Sequence, residues 1–108
     1  MKNKFGLLDS DLDEIQGVLQ NQPKVEKAWI FGSRAKGSYK TGSDVDIALI
    51  GTDLDFETIS QISYLLNEET NMPYKFDVVN VETLNEPALK DHIRRIGISF
   101  YEKQSKAY

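Results

Sequence analysis

Cysteine is absent from all 108 residues, and histidine and tryptophan each occur once. Without cysteine there is no disulfide, no thiolate metal site and no thiol nucleophile. The single histidine, His92, falls with Leu89, Ile93 and Ile96 on the apolar stripe of a predicted helix. It reads as a packed or boundary residue, and no serine triad can be drawn around it. No apolar run approaches the roughly 20 residues of a membrane span, and "MKNKFGLLDSD" lacks the apolar core of a signal peptide. A cytoplasmic protein with no membrane partner is therefore expected. A net charge of −4 argues against a broad grip on a nucleic-acid backbone. It leaves room for a nucleotide held through a metal ion, because the ion supplies the positive charge.

What is present is enough for one core. The chain is predicted to be a single domain over 1–108. Leu12, Ile15, Val18 and Leu19 recur at helical spacing after Ser10, a candidate N-cap, with Pro23 as the stop. "VEKAWIF" (25–31) is a predicted strand, followed by a short helix around Ser33–Lys36 among glycines. "DVDIALI" (44–50) is a second strand, Ile59, Ile62 and Leu66 mark a helix, and "KFDVVNV" (75–81) is a third strand. Thr83 and Glu86 have capping-box spacing before a last helix that Gly97 ends. "ISFY" (98–101) is either a closing strand or a docked extension, and both chain ends are expected to fray. The order α, β, short α, β, α, β, α implies an α+β, two-layer fold: a small mixed β-sheet with helices packed on it.

Aspartate is depleted in strands, yet Asp44 and Asp46 lie in one and Asp77 in another. Alternate strand residues share a face, so Asp44 and Asp46 point the same way, roughly 6–7 Å apart. At an effective dielectric of about 20 their repulsion is on the order of 3 kcal/mol. If the strands pair in register, all three carboxylates converge on one patch. Such hard oxygen ligands suit Mg²⁺ or Mn²⁺, and two ions so held can serve phosphoryl or nucleotidyl transfer. The alternative is structural: Asp77 at a strand end or paired with Lys75, and Asp44 at the surface.

Gly32–Ser33 follows the apolar end of the first strand directly. A glycine and a small hydroxyl residue opening a short helix allow close backbone approach and aim N–H groups outward, which suits phosphate. Ten residues then separate Ser33 from Asp44, enough for a short helix and a turn back to a neighbouring strand.

The combined pattern, GS-x10-D-x-D with a further strand carboxylate, resembles the polymerase-β-type nucleotidyltransferase superfamily. "FGSRAKGSYKTGSDVDIAL" is similar to its minimal nucleotidyltransferases in particular, with Arg34, Ala35, Lys36, Gly37 and Ser43 in the family's places; Lys36 stands for the more usual arginine. The resemblance extends through "YKFDVVNV" and "IRRIGISFYE". It implies a polymerase-β-like nucleotidyltransferase fold. It further implies that Asp44, Asp46 and Asp77 hold two Mg²⁺ ions (or Mn²⁺), with Asp77 helping to deprotonate the attacking hydroxyl. Gly32 and Ser33 would hold the β- and γ-phosphates of ATP. Arg34 either stabilises developing phosphate charge or is an exposed guanidinium on the helix flank; Lys36 and Lys40 are expected in solvent.

Because little chain follows the last predicted helix, the acceptor is expected on another molecule. Relatives of this kind pair with a helical HEPN ribonuclease toxin and move AMP onto one of its tyrosines, acting as antitoxin. Two other readings stay open: a small-molecule (for instance aminoglycoside) nucleotidyltransferase completed by a helical partner, and an antitoxin that neutralises by docking alone. A homodimer or a hetero-oligomer fits either. Trp29 and Phe31 read as core, the acidic run "DSDLDE" as a helix N-terminus, and nothing in the sequence selects Tyr101 or Tyr108 for modification.

Overall fold

The computed structural model describes residues 2–103. Helix α1 (Asp9–Gln20) forms where the apolar residues recur every third or fourth place, and it buries Ile15 and Leu19 completely. Ser10 does not cap it. The cap position is Leu8, whose backbone N–H donates to Asp11 Oδ2 at 3.0 Å, so an acidic side chain of the first turn satisfies the end instead. Strand β1 (Lys27–Phe31) starts two residues later than the sequence implies, because Val25 closes a turn with its N–H on the Gln22 carbonyl. Helix α2 (Gly32–Lys36) follows without a linker and ends on Gly37 in the left-handed conformation.

Strand β2 (Val45–Ile50), helix α3 (Phe56–Glu68) and strand β3 (Phe76–Asn80) come next. Asp55 caps α3 by accepting the Thr58 N–H at 2.8 Å. After β3 the Asn80 side chain accepts the Glu82 N–H and turns Val81–Thr83 into a single 3₁₀ turn. The capping box expected of Thr83 and Glu86 does not form. Thr83 belongs to that turn, and helix α4 (Pro87–Ile96) begins with proline in its first turn and no side-chain cap. Strand β4 (Ile98–Glu102) resolves the "ISFY" question in favour of a strand.

The sheet order is β3-β2-β1-β4, with β2–β3 parallel and β1 antiparallel to both neighbours. One face carries Ala28, Ile30, Val45, Ile47, Leu49 and Phe76 against α1 and α3, and this is the main core. On the other face α4 covers Phe31, Ala48 and Val79 through Ile93 and Leu89. Both faces of β2 are thus buried at Ala48, whereas Asp46 near the strand's N-terminal end is half-buried and Asp44 before it is exposed. Residues 2–8 are tied down, contrary to the fraying expected of them. Lys2 bridges to Leu8, and the Asn3 side chain accepts the N–H groups of Phe5 and Leu7, tying residues 2–8 into a turn. The C-terminal "QSKAY", with Tyr108, lies outside the described residues. Among the described residues no helix is long and apolar enough to cross a membrane.

Candidate active site

Register brings the aspartates together. Asp46 is the direct partner of Asp77 across the parallel β2–β3 pair, and of Phe31 across the antiparallel β1–β2 pair. Adjacent strands lie about 4.8 Å apart, so the Asp46 and Asp77 side chains stand side by side on the α4 face of the sheet. Asp44 lies immediately before β2, two residues from Asp46 and exposed; Asp77 is exposed and Asp46 half-buried. The cross-strand partner of Asp46 is Phe31, and the next residue is Gly32. The phosphate-type turn and the carboxylates therefore meet at one end of the sheet.

Gly32 has φ +71°, a left-handed conformation that a side chain would strain, and it packs against Asp46. A Cβ built there would overlap Asp46 Oδ2, so only glycine leaves that carboxylate its place. Ser33, half-buried, sits in the first turn of α2. Burial pushes the Asp46 carboxyl up to about 6, helped by the charges of Asp77 and then Asp44, while the Arg34 guanidinium opposes the shift. A carboxylate crowded in this way calls for a cation.

The donor set fits a hard divalent ion in its chemistry: three carboxylates, one half-buried and two exposed. Among the described residues no three acidic or histidine side chains form a ready-made cage. Mg²⁺ does not need one, since it is usually bound by one or two carboxylates plus substrate phosphates.

Arg34 departs from the expectation of an exposed guanidinium on the helix flank. It is 3% exposed, so it is no flank cation. Its Nε and Nη2 donate to the Ser43 carbonyl at 3.2 and 2.8 Å, and Nη1 donates to the carbonyls of Phe5 and Gly6 at 3.0 and 3.3 Å. With these donors engaged on backbone, the guanidinium acts on the site through its charge and its contacts. Lys36 and Lys40 are exposed, Phe31 is core, and Trp29 packs beside it. His92 packs edge-on against Phe31 with ring centroids 6.2 Å apart, which places it at the rim of the site as a boundary residue. An open groove of about 920 Å³ between α3 and β3, lined by Ile59, Tyr64 and Val78 among others, contains none of the six site residues.

The family model described as "Polymerase beta, Nucleotidyltransferase" matches residues 13–106. The chain belongs to this family. A nucleotidyltransferase named "Probable protein adenylyltransferase MntA", from Haemophilus influenzae, is 30% identical over 104 residues, covering 93% of this chain and 90% of the relative. Two solved structures share the fold. A toxin–antitoxin crystal structure with AMP-PNP superposes with a TM-score of 0.70 at 22% identity, covering 91% of this chain and 76% of the other. A tri-AMPylated Shewanella oneidensis HEPN toxin in complex with MNT antitoxin gives 0.67 at 20% identity, covering 88% and 72%. The α+β nucleotidyltransferase fold expected from the sequence is thus the one observed.

Proposed function

We propose that this nucleotidyltransferase is a Mg²⁺-dependent protein adenylyltransferase that moves AMP from ATP to a tyrosine hydroxyl of a helical HEPN-type toxin, and so serves as its antitoxin. The observation that carries the chemistry is the cross-strand pairing of Asp46 with Asp77 beside Gly32–Ser33. The relative named as a protein adenylyltransferase supports the choice of acceptor class. Asp44, Asp46 and Asp77 would hold two divalent ions, which supply charge neutralisation at the phosphates when bound. Gly32 and Ser33 hold the β- and γ-phosphates, the glycine by allowing backbone approach and the serine by its hydroxyl and N–H. The tyrosine oxygen attacks the α-phosphorus, a new O–P bond forms, and the bond to pyrophosphate breaks. Asp77, exposed on the edge strand, accepts the tyrosine proton.

ATP labelled at the α-phosphate, Mg²⁺ and a helical HEPN-type partner protein make the test. Label is expected on a partner tyrosine and is expected to vanish with Asp44→Asn or Asp46→Asn. The loss should exceed the roughly 10–100-fold typical of disturbing a group that merely supports a metal ligand. Label on a small molecule instead would move the acceptor class. Neutralisation that survives both substitutions with no label anywhere would replace transfer by docking.

A further inference from the structure

The match to the family begins at residue 13, yet the most heavily bonded side chain near the site reaches outside it. Arg34 is buried between the rings of Tyr39 and Tyr74, its guanidinium carbon 5.4 and 5.0 Å from their centroids. On one side it holds the carbonyl of Ser43, the residue immediately before Asp44. On the other it holds the carbonyls of Phe5 and Gly6 in the N-terminal turn.

Both ends of this link are themselves stiff. Ser43 closes a tight turn, its N–H on the Lys40 carbonyl and its Oγ accepting the Lys40 N–H. Tyr74 donates its hydroxyl to Asp11, which also receives the Leu8 N–H. Gly6, at φ +73°, lies so close beneath the Tyr39 ring that an added Cβ would collide with it. A planar fork with five donors can hold carbonyls on two sides at once; a lysine ammonium on a flexible stem cannot reproduce that geometry.

We infer that Arg34 is a positioning residue that clamps the N-terminal turn to the loop before β2 and thereby sets where Asp44 stands relative to Asp46 and Ser33. The turn of residues 2–8 is then a working part of the site although it touches none of the reacting atoms. The inference rests on the metal role proposed above for Asp44, and its test is read without acceptor or partner.

Mn²⁺ binding in the presence of a non-hydrolysable ATP analogue is followed by electron paramagnetic resonance on the full chain, with thermal melts alongside. Arg34→Lys and Gly6→Ala are each expected to weaken Mn²⁺ binding by about tenfold, the scale on which supporting groups around a metal act. Because both variants break one clamp, the double variant should lose much less than the product of the two. Faster amide exchange is expected in both residues 2–8 and 38–44 of either single variant. Should Arg34→Lys fail to fold, Gly6→Ala carries the test by itself, its change being one methyl group in the buried part of the N-terminal turn, outside the sheet. Lower melting temperatures with unchanged Mn²⁺ affinity would overturn the inference in favour of a purely structural arginine. Weaker analogue binding with no metal present would overturn it in favour of direct phosphate contact. Wild-type protein that binds Mn²⁺ but transfers no AMP would sink the proposed function and leave the clamp standing.

Discussion

Asp46 carries opposing demands on stability and function. Burial and its two neighbours raise its pKa to about 6, above the usual carboxylate value of about 3.9. Between about pH 4 and pH 6 the folded protein therefore holds a proton that the unfolded chain has released. Stability falls as pH rises through that window; the penalty is complete above it and absent below. The raw shift corresponds to about 3 kcal/mol, but the group is only half-buried, and solvent screening leaves roughly 1 kcal/mol. Asp46→Asn should thus raise the melting temperature of metal-free protein at pH 7.5 by roughly 4 °C, with the gain gone near pH 4, while adenylyl transfer is lost. Scanning calorimetry at the two pH values checks it. At Gly32 the expectation reverses. Gly32→Ala forces a side chain into a left-handed backbone at about 1–2 kcal/mol and displaces the Asp46 carboxylate, so melting temperature and activity should fall together.

Among the elements, β3 is an edge strand that must stay in register to keep Asp77 beside Asp46. Its first residue is held from outside the sheet. The Asn67 side chain of α3 accepts the Phe76 N–H at 2.8 Å and donates to the Phe76 carbonyl at 3.0 Å. That doubles as protection of a free strand edge. Asn67→Ala would leave two part-buried backbone groups unpaired, a cost of about 1–3 kcal/mol by urea denaturation, with a loosened Asp77 as the functional consequence. Such long-range side-chain partners were not legible in the sequence. Helices α1 and α3 and the strands were, because period 3.6 and period 2 are local signals carried by residues such as Ile15, Leu19, Ile47 and Leu49. The caps went astray where a competing donor or acceptor nearby won: Asp11 took the place given to Ser10, and Asn80 drew Thr83 into a separate turn. Within the candidate site, Gly32, Asp44 and Asp46 were readable from spacing and the strand pattern. The burial of Arg34 was not readable, because nothing local shows that Phe5, Gly6 and Ser43 converge on it.

For the whole molecule, helices on both faces of the sheet leave Asp46 half-buried and Asp77 exposed at one end of the α4 face, and the candidate site lies there. Helix α4 seals Ala48 and Val79 on the same face, so the carboxylates of β2 and β3 remain accessible only at the strands' N-terminal ends. If the proposed partner is silenced by transfer and not by docking, binding and neutralisation must separate. With the HEPN-type partner proposed above, Asp46→Asn is expected to co-purify as well as wild type, yet to leave the partner's ribonuclease active; paired pull-down and RNA-cleavage assays check this. The central claim is that mutually repelling aspartates persist on this face because a divalent ion and a nucleotide belong there. Isothermal titration of an ATP analogue, with and without Mg²⁺, into wild type and Asp46→Asn tests it most directly. Tight binding only in wild type with Mg²⁺ is the expected result. Equal binding without the ion, or by the variant, would contradict it.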